Sequence, residues 1–99
     1  MRLTAEQILT ITQTISRLTS GKAEVYLFGS RTDDRSRGGD VDLLIETPER
    51  LSFIDRARIR MELEISVGLP FDLLFHALPS APTSFQRIAA KSAVRLVTP

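Results

Sequence analysis

The chain contains no cysteine and no tryptophan, and only one histidine and one tyrosine. Without cysteine there are no disulfides, no thiolate zinc sites and no cysteine nucleophile. His76 alone cannot build a zinc cluster, and any serine–histidine chemistry would have to pass through it. An excess of charge is also missing: 13 basic residues meet 12 acidic ones, a net of +1. A protein held to nucleic acid by bulk charge is normally far more basic, so direct nucleic-acid binding is not expected. No apolar run is long enough to span a bilayer. The first residues carry Arg2, Thr4, Glu6 and Gln7 rather than the apolar core of a secretory signal. These absences point to a soluble, cytoplasmic protein without a membrane partner, and leave any catalysis to carboxylates.

What is present suits one small domain over residues 1–99. With 42% apolar residues, a chain of this length buries roughly two-thirds of its unfolded surface. Residues 4 to 19 carry a helical pattern: Thr4 and Gln7 fit a capping box, Leu3 and Ile8 a hydrophobic staple, and Ile8, Ile11, Ile15 and Leu18 one apolar stripe, with Gly21 as the expected C-terminal cap. Glu24 to Phe28 is a short strand stopped by Gly29. Asp40 to Glu46 alternates, with Val41, Leu43 and Ile45 on one face and Asp40, Asp42 and Leu44 on the other. A second helix opens near Thr47-Pro48 or Ser52 and closes at Gly68; Leu51, Ile54, Ala57, Met61 and Ile65 are its expected buried stripe. After Gly68-Leu69-Pro70, the strand Phe71 to Phe75 repeats the alternation, with Asp72 and Leu74 opposite Phe71, Leu73 and Phe75. A short helix over Thr83 to Lys91 and an edge strand over Val94 to Val97 complete the pattern. The implied architecture is an α/β (α+β) domain, a small mixed β-sheet of three to four strands flanked by helices.

Three aspartates stand where apolar residues are otherwise required. Asp40 and Asp42, two apart on a strand, share a face with Cα atoms about 6.5 Å apart. If the two acidic strands are neighbours, Asp72 joins them. Three carboxylates held together repel one another and raise one another's pKa unless a cation intervenes. Oxygen-only ligation selects a hard ion, and Mg²⁺ is the natural candidate. Just before the acids, Gly29-Ser30-Arg31 offers a turn without a side chain at its apex, amides and a hydroxyl to donate, and a guanidinium fork suited to phosphate oxygens. Arg35 and Arg37 lie in the charge-balanced run "RTDDRSR", and His76 reads as an incidental strand-end residue rather than a general base. Arg56, Arg58 and Arg60, interleaved with Asp55, Glu62 and Glu64, read as a solvated helix face, with docking of a partner as the alternative.

"FGS" (Phe28 to Ser30), a spacer of nine residues and "DVDL" (Asp40 to Leu43) resemble the signature of the DNA polymerase beta-like nucleotidyltransferase superfamily. The order helix, strand, Gly-Ser turn, acidic strand, helix, third-acid strand resembles that family's core over nearly the whole chain. The length and the "GSR" form look like its minimal (MNT-type) members, which are paired with helical HEPN proteins as toxin–antitoxin systems. The resemblance implies transfer of a nucleoside monophosphate, AMP from ATP, to a hydroxyl, with two Mg²⁺ ions held by Asp40, Asp42 and Asp72 and the triphosphate held by Gly29, Ser30 and Arg31. It further implies a HEPN-family protein as partner, a tyrosine of that toxin as acceptor, and antitoxin action.

Two other readings keep the same core. A binding module that neutralises its partner by covering it is motivated by Thr32-Asp33-Asp34 after Arg31 and by Gly39 before the first acid, where minimal members differ. A small-molecule (aminoglycoside-type) nucleotidyltransferase is the third. An exposed sheet edge also suits a homo-oligomer.

Overall fold

In the computed structural model, the described residues are 3–28, 41–77 and 94–96. Helix α1 spans Ala5–Leu18, strand β1 Glu24–Phe28, strand β2 Val41–Thr47, helix α2 Phe53–Val67, strand β3 Phe71–Ala77 and strand β4 Val94–Leu96. The expected helix over 83–91 lies outside the described residues.

Helix α1 begins where its sequence dictates. The Thr4 hydroxyl accepts from the Gln7 amide at 3.0 Å, and the Gln7 side chain accepts from the Thr4 amide at 2.8 Å, so two otherwise orphaned donors are satisfied reciprocally. Leu3 and Ile8 both pack on the core beside this cap. The helix stops one residue earlier than expected. Thr19 is the C-cap, Ser20 takes the left-handed conformation (φ 58°), and the Gly21 amide donates to the Ser16 carbonyl at 2.7 Å. That is the long hydrogen bond of a Schellman turn.

The four strands form one mixed sheet in the order β3-β2-β1-β4. Strand β1 runs antiparallel to both β2 and β4, while β3 runs parallel to β2. Parallel neighbours need a long crossover, and α2 supplies it. Its N-cap Ser52 accepts from the Asp55 amide at 3.1 Å, and its C-cap Gly68 is left-handed at φ 78°. The Pro70 carbonyl then receives the Val41 amide at 2.8 Å, which starts the β2–β3 ladder.

The helices share one side of the sheet. Ile11 and Ile15 of α1, Ile59 and Leu63 of α2, and Val25, Leu27, Val41, Leu43, Ile45, Phe71, Leu73 and Leu96 of the strands form one buried cluster. The expected α2 stripe is corrected here. Leu51 packs partly on the core, but Ile54, Met61 and Ile65 are exposed, and the buried residues are Ile59 and Leu63. Both sides of this helix are apolar, and the smaller set is the one that faces inward. The other side of the sheet holds a separate patch: Leu44, buried, with Tyr26 and Leu74 against it.

Candidate active site: an acidic pair on the open face of the sheet

The alternation of β2 and β3 places Val41, Leu43, Phe71 and Leu73 in the core, so Asp42 and Asp72 must point to the opposite face. The register makes them direct neighbours: Asp42 is the partner of Asp72 across the parallel pair, and Phe28 is the partner of Asp42 on the other side. Neighbouring strands bring the two Cα atoms to about 4.8 Å. Asp42 is half-buried and Asp72 exposed. Of the expected acids, the structure therefore brings these two together. Asp40 lies outside the described residues, as do Gly29, Ser30, Arg31, Arg35 and Arg37. In the chain, Gly29 follows Phe28 and Asp40 precedes Val41.

Two side chains of α2 fix the start of β3. The Arg60 guanidinium donates to the Phe71 carbonyl at 2.5 Å, and the Glu64 carboxylate accepts from the Phe71 amide at 3.1 Å. In a parallel ladder, alternate residues turn their backbone groups away from the partner strand. Pro70 bonds to β2, so Phe71 presents both groups to the open edge, where this clamp meets them. Asp72 is the next residue, and its position depends on the clamp. Sequence reading assigned Arg60 and Glu64 to a solvated face; the only signal was their i, i+4 spacing, which many exposed helices share. Glu62 is likewise engaged, with Arg17 at 2.7 Å.

The same open face carries a second polar group at its far end. His76 is buried, with its Nδ1 3.0 Å from Glu46, its register partner. It stands four positions along the strand from Asp72, roughly 13 Å away. On β1 the Tyr26 hydroxyl donates to Glu24 at 3.0 Å, and Arg95 of β4 donates to the other oxygen of that carboxylate at 3.2 Å. Burial, and next the hydrogen bond to Glu24, hold the Tyr26 phenol above its ordinary value. These groups knit β4 to β1 and lie away from the acidic pair.

The chemistry of the pair fits a hard divalent cation. Two carboxylates on adjacent strands, facing one way, supply oxygen donors and no soft ligand. Among the described residues no group of three His, Cys, Asp or Glu side chains is arranged to hold a metal ion, and the third expected ligand, Asp40, is not among them. Among the same residues, no helix is long and apolar enough to cross a membrane.

The model of the polymerase beta nucleotidyltransferase family matches residues 5–98. The chain belongs to this family. Solved structures give the same architecture. The chain is similar, with a TM-score of 0.73 and 19% identity over 95% of its length and 72% of the other chain, to a structure described as a tri-AMPylated Shewanella oneidensis HEPN toxin in complex with MNT antitoxin. A toxin–antitoxin complex with AMP-PNP gives a TM-score of 0.71 at 23% identity, covering 96% of this chain and 73% of that one. The MntA–HepT toxin–antitoxin complex gives 0.61 at 22%, covering 88% and 69%. At such identities the likeness speaks for the fold. No curated protein matches the chain. In this nucleotidyltransferase fold, the acidic strand is the central β2, and the edge strand β3 supplies the opposing carboxylate.

Proposed function

We propose that this nucleotidyltransferase is a single MNT-type domain that transfers AMP from ATP to a hydroxyl of a HEPN-type toxin, a tyrosine being the expected acceptor, and so acts as an antitoxin. The observation that carries the reading is the register of Asp42 against Asp72 on one face of a family-matched fold. Neighbours of the same fold that include an AMPylated HEPN toxin with its MNT antitoxin, and a complex with AMP-PNP, support the choice of nucleotide and partner.

Asp40, Asp42 and Asp72 would hold two Mg²⁺ ions. Bound there, the ions would neutralise charge on the attacking and leaving oxygens of an in-line displacement. Gly29 and Ser30 would present amides and a hydroxyl to the β- and γ-phosphates, and Arg31 a guanidinium to their oxygens. The acceptor oxygen forms a bond to the α-phosphorus as the bond to pyrophosphate breaks. Pyrophosphate leaves with the electron pair, and the acceptor's proton passes to the Asp72 carboxylate, the more exposed of the described pair.

The test is transfer of label from ATP carrying a labelled α-phosphate to the co-purified HEPN protein in Mg²⁺. The native chain is expected to label it, and Asp42→Asn and Asp72→Asn to abolish labelling while far-ultraviolet circular dichroism stays unchanged. Labelling that survives both substitutions would remove these acids from the reaction. A toxin that is bound and silenced by Asp42→Asn without label would replace transfer by simple covering.

A further inference from the structure

Helix α2 turns a broad apolar stripe to solvent: Phe53 is 76% exposed, Ile54 68%, Met61 56% and Ile65 75%. Ile54, Met61 and Ile65 recur at helical spacing on the side opposite Ile59 and Leu63, so they form one face, and Phe53 stands at its margin toward β3. Beside the stripe, between α2 and the edge strand β3, runs a groove of about 600 Å³ to which Ala57, Leu73 and Phe75 also contribute. Singly exposed apolar residues are ordinary on a protein surface, but a continuous stripe bordering an open groove marks an interaction surface.

The charges on the same helix say what fits it. Its first half carries Arg56, Arg58 and Arg60, and its second half Glu62 and Glu64. Within one helix this order is unfavourable. Cations crowd the end where the helix dipole is positive, and arginine precedes glutamate at i, i+4, the weaker orientation. An antiparallel copy of the helix reverses the sequence of charges and meets it. With a two-fold axis beside position 60, Arg58, which flanks the stripe, stands against the second copy's Glu62, and the pair occurs twice. The same axis sets Ala57 beside the second copy's Met61 and Ile65. Arg60, nearest the axis, is drawn aside by its hydrogen bond to the Phe71 carbonyl. Glu62 and Glu64 each use one carboxylate oxygen inside the chain, which leaves acceptor capacity on the other.

We infer that the exposed face of α2 is the interface of a two-fold homodimer, in which α2 packs antiparallel against its own copy. The contact is isologous, so both protomers bury the same stripe and the assembly closes at two. It lies on the helical side of the sheet, while Asp42 and Asp72 open on the other side, so dimerisation leaves the acidic pair accessible.

The test is the oligomeric state of the full chain without nucleotide or metal, so its outcome is independent of the proposed reaction. Light scattering on a sizing column at roughly 100 µM, where a micromolar interface is occupied, is expected to give twice the chain mass of 11.0 kDa. Ile65→Glu, at an exposed position, is expected to yield the 11.0 kDa monomer with unchanged circular dichroism. Arg58→Glu is expected to weaken the dimer, and Arg58→Glu with Glu62→Arg to restore it. Because the chain has no cysteine, Met61→Cys is expected to cross-link on oxidation, whereas Gln13→Cys on exposed α1 surface stays monomeric under the same treatment. A monomer at this concentration overturns the inference and assigns the stripe to a different protein. A dimer indifferent to Ile65→Glu, with no cross-link through Met61→Cys, also overturns it.

Discussion

Tyr26 is the only tyrosine in a chain without tryptophan, so its ionisation can be read directly. Its phenol is held above the ordinary 10.0 by burial first and by donation to Glu24 second. The neutral form is the one the fold favours. A group whose folded pKa is raised contributes stability that is complete below the unfolded value and is lost as pH rises through the folded value. The protein is therefore expected to lose stability in the alkaline range above 10.0 and to show no change from this group at neutral pH. Tyrosinate absorbance should titrate with a midpoint above 10.0 in the folded chain and fall back toward 10.0 in denaturant. Tyr26→Phe should remove that part of the alkaline loss. A folded midpoint at the ordinary value would show that the phenol is as well solvated as in a free peptide.

The helices differ in how far their sequences disclose them. Helix α1 is legible because its signals are local: the capping box closes over three residues, and one apolar stripe leaves no choice of face. Helix α2 has two stripes. The sequence reading chose Leu51, Ile54, Ala57, Met61 and Ile65 and passed over Ile59 and Leu63, because periodicity does not say which stripe the sheet accepts; that is decided by the crossover from β2 to β3, a tertiary constraint. The assignment has a direct check. Leu63→Ala empties a buried position and is expected to destabilise by about 2–5 kcal/mol. Ile65→Ala, on the exposed side of the same helix, is expected to change stability of the monomer by less than about 0.5 kcal/mol. Equal losses in denaturant unfolding at low protein concentration would mean that both stripes are buried. The acids show the same division. Their face follows from the period-two alternation around Val41, Leu43, Phe71 and Leu73. That Asp42 meets Asp72, rather than Leu74, is a matter of register, set by the turn at Pro70 and the clamp from Arg60 and Glu64.

Across the whole molecule, the sheet order puts an acidic central strand beside an acidic edge strand, joined by a helix that packs on the far side. The register sets two carboxylates directly opposite one another on the open face, and the repulsion between like charges so placed in a sheet opposes folding by a few tenths of a kcal/mol to about 1 kcal/mol. A domain of this size has a total stability of only about 5–15 kcal/mol, so the loss is measurable. In the absence of metal, Asp72→Asn is expected to raise the thermal midpoint slightly, because one of the two charges is gone. A ligand that binds only the folded state stabilises it by about 2.7 kcal/mol at a hundredfold excess over its Kd, which for a 99-residue chain is an upward shift of roughly 13 °C. The native protein is expected to show such a shift with Mg²⁺ and ATP together and a smaller one with either alone. Asp72→Asn should begin higher and shift little, so that the two melting curves cross in order when ligand is added. If Asp72→Asn begins lower than the native chain and shifts equally, the carboxylate at this edge strand serves the fold and not the site.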